Sequence, residues 1–194
     1  KIPKSGLNLD IDLDTKNNNN FINGIFRSKI HNNNLKFNFS YNQTSLKIYN
    51  SFFRNKNISF KNESLITFKA FLDSRLKFDI EEINVEIFKQ LELDKLLTFK
   101  NILKQINIKN EINFKSKKFS RSFIDKLDLK FDLAYGRLNY TKNLFLSDSI
   151  FQCKGSVNLL EEFPLLFFDC SIFSESKQDF LKIFNINNKK DNKT

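Results

Sequence analysis

The chain has 194 residues, 40% of them hydrophobic, and a formal net charge of +10, which is enough apolar material for one good-sized core. Its four glycines, Gly6, Gly24, Gly136 and Gly155, stand too far apart for a G-x-G-x-x-G or P-loop phosphate cradle, and its single histidine, His31, lies beside an asparagine-rich turn with no triad around it. No apolar run approaches the ~20 residues that a membrane-spanning helix needs. The composition has 24 Phe, no Trp and no Met. The missing methionine, absent even at position 1, marks the chain as a segment or processed form of something longer. Phe, Ile, Asn and Lys share A- and T-rich codons, so the scattered lysines read first as a solvated face and only second as a basic surface for anionic partners.

From the N-terminus the pattern has period two. Leu7, Leu9, Ile11 and Leu13 alternate with Asn8, Asp10, Asp12 and Asp14, and Leu35, Phe37, Phe39 and Tyr41 alternate with Lys36, Asn38 and Ser40. Successive strand side chains point to opposite faces, so each stretch has one apolar and one wet side. Leu76, Phe78 and Ile80 continue the pattern. Asparagine clusters at 17–20 and 32–34 mark turns, and the first ~85 residues read as a meander of five or six strands. The three aspartates resemble a calcium loop only superficially, because Thr15 stands where that loop needs glycine. Glu81 and Glu82, being neighbours on a strand, face opposite ways and cannot converge on one bond.

Between Val85 and Gln105 the spacing lengthens to three to five residues, and one medium helix is predicted over about 94–105. Strands return near Ile106–Ile108 and Ile112–Phe114, again through Leu127, Leu129, Phe131, Leu133 and Tyr135, and on to about Phe173. The segment Asn113–Phe123, with Lys115, Lys117, Lys118 and Arg121 among Phe114, Phe119 and Phe123, has the make-up of a single-stranded nucleic-acid or lipid-headgroup contact. Its plainer reading is a strand edge with lysines in water and phenylalanines packed inside. If the hairpin near 150–173 pairs Leu159 with Pro164, Cys153 falls opposite Cys170; two buried free thiols are the expected state, with a disulfide in an oxidising compartment as the alternative. A short helix is expected over 176–186, with Ser176 as N-cap and Phe180, Ile183 and Phe184 buried. Residues 187–194 form a polar basic tail. No linker interrupts residues 1–186, which read as a single β-rich segment.

Strands that are half apolar must have that face covered by another sheet or leave it as a binding groove. Phenylalanine and leucine without catalytic groups suit acyl chains better than a small polar ligand. The ten positions taken as facing lipid are Leu35, Phe37, Phe39, Leu76, Phe78, Ile80, Leu127, Leu129, Phe131 and Leu133. A closed β-sandwich would bury the same face, an outer-membrane barrel would turn it to lipid, and a basic nucleic-acid binder is a third alternative, with no nucleic-acid partner expected on the main reading.

The stretch "FDLAYGRLNYTKNLFLSDSIFQCKGSVNLLEEFPLLFFDCSIF" resembles the C-terminal region of AsmA-like envelope proteins, with Gly136 at the first glycine and Gly155, Val157 and Leu159 at a G-x-V-x-L turn. "SLKIYNSFFRNKNISFKNESLITFKAFLDSRLKFDIEEIN" is similar to their preceding strand unit and "ELDKLLTFKNILKQIN" to their intervening helix. The resemblance, over about 35–175, implies the AsmA and TamB group: a curved antiparallel sheet forming an elongated apolar groove, anchored in the inner membrane, projecting through the periplasm and moving phospholipid towards the outer membrane. It implies no enzyme activity, cofactor or metal, with phospholipid and an outer-membrane or periplasmic protein as partners.

Overall fold

A computed structural model describes residues 7–14, 20–68, 71–84, 103–116, 124–146, 149–176 and Leu181. Eleven strands follow one another: β1 (Leu7–Asp14), β2 (Ile22–Ile30), β3 (Asn33–Asn42), β4 (Ser45–Arg54), β5 (Ile58–Phe68), β6 (Leu72–Ile83), β7 (Ile106–Lys115), β8 (Lys126–Ala134), β9 (Arg137–Leu146), β10 (Ser149–Asn158) and β11 (Leu166–Ser174). They form one sheet whose spatial order is the chain order, so β1 and β11 are its two edges. The fold is mainly β, as the alternation requires.

Asparagine supplies several of the turns. The Asn42 Oδ1 accepts from the backbone N–H of Thr44 at 3.0 Å and of Ser45 at 2.6 Å, and the Asn55 Oδ1 accepts from those of Asn57 and Ile58, both at 2.8 Å. Asn158 does the same for Leu160. In each case a side chain replaces the hydrogen bond that a bare turn would lack. Between β8 and β9 the chain reverses through Tyr135 and Gly136, with φ of 50° and 84°, the two-residue hairpin whose twist matches the flanking strands.

Two features differ from the sequence expectation. Nine strand pairs are antiparallel, but β6 and β7 run parallel, with Leu72 beside Ile106 and Ile80 beside Phe114. A parallel neighbour can start only after the chain has returned the length of β6, and such a crossover takes a dozen or more residues; residues 84–105 provide it. The medium helix expected over 94–105 falls in this return. Residues 94–102 lie outside the described residues; of the remainder only Leu103 is helical, and the chain then turns at Lys104 and Gln105, so no medium helix is present among the described residues. The Gln105 carbonyl accepts from the Leu72 N–H at 3.3 Å, which draws the backbone into the sheet. Among the described residues helix is confined to Leu103 and Leu181. Most of the short C-terminal helix expected over 176–186, the tail 187–194 and the basic residues 117–123 lie outside the described residues.

β4 carries a bulge. Its pairing with β5 is interrupted between Ile48 and Phe53, Asn50 has φ of 49°, and the Ser51 hydroxyl takes over the lost ladder contact, accepting from the Asn62 N–H at 2.6 Å and donating to the Asn62 carbonyl at 2.5 Å. The odd step keeps Ile48 and Phe53 on one face although five positions separate them.

Candidate functional site

The strand registers put side chains of adjacent strands on common faces, and one of those faces is mainly apolar, with Ser64, Ser74, Asn110 and Lys142 among its exceptions. All ten predicted positions fall on it. Leu35, Phe37 and Phe39 on β3 follow Ile11 and Phe26 of β1 and β2, while Leu76, Phe78 and Ile80 on β6 are joined through Asn110, Ile112 and Phe114 of β7 to Phe131, Leu129 and Leu127 of β8. Leu133 lies opposite Ile108. The same face also carries aromatic residues beyond these ten. Phe26 stacks on Phe37 with ring centres 4.9 Å apart, Phe53 stacks on Phe60 at 5.0 Å, and Phe60 meets Phe78 edge-on at 5.3 Å, geometries worth about 0.5–1.5 kcal/mol each beyond their burial.

Little of this face is deeply buried. Among the described residues only Leu103, Phe114, Leu133 and Leu146 are buried apolar side chains, and three of these lie on β7, β8 and β9, where neighbours crowd from both sides. Towards the edges Leu9, Ile11 and Leu13, and on β11 Leu166, Phe168 and Ile172, are half exposed or more. Asn110 interrupts the apolar row between Leu76 and Phe131, and its Oδ1 is buried without a hydrogen-bond partner.

The opposite face is polar and ion-paired. The Arg27 guanidinium reaches Asp12 at 2.6 Å and Asp10 at 2.8 Å, so the aspartates that suggested a cation loop are occupied by an arginine. Those two hydrogen bonds, Asp12 first, raise the Arg27 pKa. The Lys61 pKa is raised by its hydrogen bond to Glu81, 2.6 Å away. Across β4–β9 a trough of about 850 Å³ runs between two rows of such side chains, one with Lys47, Arg75 and Lys109, the other with Lys77, Glu111 and Lys130. Lys130 lies 3.8 Å from Glu111 and Lys109 lies 4.0 Å from Asp132. Among the described residues no group of His, Cys, Asp and Glu is placed to hold a metal ion, and His31 is exposed in the β2–β3 turn.

The four motif residues gather at one end of β8–β10. The Leu159 N–H donates to the Gly136 carbonyl at 2.8 Å, Leu160 packs where a Gly136 side chain would stand, and Val157 pairs with Leu138 and Leu166. The ring of Tyr140 covers Gly155, leaving no room for a Cβ. Cys153 and Cys170 face each other in the register expected from the hairpin and are joined as a disulfide, their Cα atoms 4.1 Å apart. The two buried free thiols expected from the sequence are therefore corrected to a bridge, and Cys170 is exposed rather than buried.

No family model matches the chain, and no curated protein or solved structure matches it either.

Proposed function

We propose that the apolar face holds phospholipid acyl chains, and that the chain is a non-enzymatic segment of an AsmA- or TamB-type envelope protein that carries lipid between the inner and outer membranes. The observation that carries this reading is the open sheet itself. Each of the eleven strands carries apolar side chains on one face, interrupted by Ser28, Ser64, Ser74, Asn110 and Lys142, and no second sheet lies over that face among the described residues. A closed sandwich divides its strands between two packed sheets. A transmembrane barrel has antiparallel neighbours throughout and no free edge, which the parallel β6–β7 step and the separate β1 and β11 edges oppose.

The chemistry of the face fits the ligand. Phe and Leu side chains contribute dispersion and burial without directional demands, and each methylene removed from water gains about 0.8 kcal/mol. Polar and paired charges on the other face keep that side hydrated. The Cys153–Cys170 disulfide suits an oxidising compartment such as the periplasm.

The test is organic extraction of detergent-free purified protein, with mass spectrometry of the released lipid and uptake from phospholipid vesicles. Stoichiometric phospholipid, lost in the variant Phe37→Asp/Phe131→Asp while circular dichroism still reports sheet, is the expected result. A folded protein that carries none and takes up none sinks the reading.

A further inference from the structure

We propose that β11 is a self-pairing edge, through which two copies of this chain join antiparallel across a two-fold axis at Cys170. Among the described residues β11 pairs only with β10, so one side of its backbone is an open ladder. It is the strand whose nine residues are all exposed. It is also apolar on both sides: Leu166, Phe168 and Ile172 lie on the apolar face, while Phe167 and Phe173, 66% and 57% exposed, stand on the mainly polar face, Phe173 in line with Ile150 and Phe145. An open, apolar edge strand is the usual template for strand addition.

The sequence of β11 selects a second copy as the occupant, because it is self-complementary. Outward from Cys170 in both directions come a polar residue, an apolar one and a phenylalanine: Asp169, Phe168 and Phe167 one way, Ser171, Ile172 and Phe173 the other. Antiparallel pairing about Cys170 sets Phe167 against Phe173 of the second copy, Phe168 against Ile172 and Asp169 against Ser171, with no like charges opposed. The backbone agrees. A Cα separation of 4.1 Å between Cys153 and Cys170 is that of a non-hydrogen-bonded antiparallel pair. The N–H and C=O groups of Phe168, Cys170 and Ile172 then point away from β10, and these are the groups that a two-fold at Cys170 brings together. The Phe167–Phe173 pairs fall at the closer, non-hydrogen-bonded positions, where aromatic pairs gain most. The other edge lacks this property, since pairing β1 with itself about Ile11 would oppose Asp10 to Asp12. A two-fold at Cys170 normal to the sheet also keeps both apolar faces on the same side.

Sedimentation velocity over a concentration series, comparing wild type with Ser171→Lys and Ser171→Asp, tests the proposal. Within the chain Ser171 lies opposite the uncharged Gln152, so neither variant gains or loses a directly opposed charge in the monomer. In the dimer, Ser171→Lys creates two cross-strand pairs with Asp169 and should tighten association roughly 2- to 30-fold, while Ser171→Asp opposes like charges twice and should weaken it by a similar factor. Both effects should shrink in high salt. Phe167→Lys/Phe173→Lys, with its sheet content checked by circular dichroism, should be monomeric throughout. A wild-type protein that is monomeric at its highest soluble concentration overturns the proposal, as does a shift in the same direction for both Ser171 variants.

Discussion

The two edges of the sheet begin alike and end differently. Behind each lies a strand with a glycine roofed by an aromatic ring from the strand beyond: Gly24 on β2 lies under Phe39 of β3, and Gly155 on β10 lies under Tyr140 of β9. Outside these, β1 keeps strict alternation, with its aspartates on the wet face and Arg27 holding two of them. β11 abandons alternation, and its hold on the sheet is reinforced by a disulfide to β10. Charge on the outward strand discourages strand addition at β1. On β11, where Asp169 is the one charged residue, a cross-link keeps the strand in place and leaves its outer side available.

The largest effect expected from breaking this contrast is loss of the cross-link. The bridge closes a separation of 17 residues, for which chain entropy predicts about 3 kcal/mol. Cys153→Ser/Cys170→Ser, or reduction of the wild type, should lower the urea midpoint accordingly, and hydrogen exchange should rise first in β11 while β1 stays unchanged. Equal loss of protection at both edges would show that the disulfide stabilises the sheet as a whole and not its last strand.

A smaller effect tests what the edges share. A Cβ at Gly155 would stand 2.5 Å from the Tyr140 ring and 2.8 Å from the Phe167 carbonyl, and one at Gly24 would stand 2.6 Å from the Asp12 carbonyl and 2.7 Å from the Phe39 ring. Gly155→Ala and Gly24→Ala should each destabilise by about 1–3 kcal/mol, the usual cost of overpacking, read as a fall in thermal midpoint. Removing the roofing ring separates the causes: Tyr140→Leu should recover part of the Gly155→Ala loss, and the backbone contact keeps the rest.

Much of this was legible in the sequence because period two is local. The alternation in Leu7–Asp14 and Leu35–Tyr41 specifies strands and their apolar sides directly, and once Leu159 is set against Pro164 counting puts Cys153 opposite Cys170, the register that the structure has. Direction is not local. Nothing in the spacing of Leu76, Phe78 and Ile80 tells that the next neighbour, Ile112, belongs to a parallel strand, since that depends on where the crossover returns. Parity is lost as well at a bulge: the step at Asn50 and Ser51 puts Phe53 on the face of Ile48, so simple alternation along β4 sends Phe53 to the wrong side. The helix over 94–105 was read from periodicity alone, and pairing with β6 claims the chain from Ile106 onward.

The smallest effect concerns the charges that guard β1. Arg27 and its aspartates are solvent-exposed, so Arg27→Ala should lower the urea midpoint little, and less still in high salt. Association should be unchanged, because Asp10 and Asp12 left unneutralised only make β1 still less able to accept a strand. The pH dependence has a definite sign. Hydrogen bonds to Asp12 and Asp10 raise the pKa of Arg27, and the bond to Glu81 raises that of Lys61 above its ordinary 10.5. A raised cation pKa gives stability that is fully present below the unfolded value and lost only as pH climbs through the folded one. These two pairs should therefore add no slope to stability below about pH 10. A urea midpoint series from neutral pH upward, run on wild type and Lys61→Gln, checks this: the two curves should stay parallel until the alkaline limb and converge there, whereas a difference that changes near neutral pH would mean that another group titrates against Lys61.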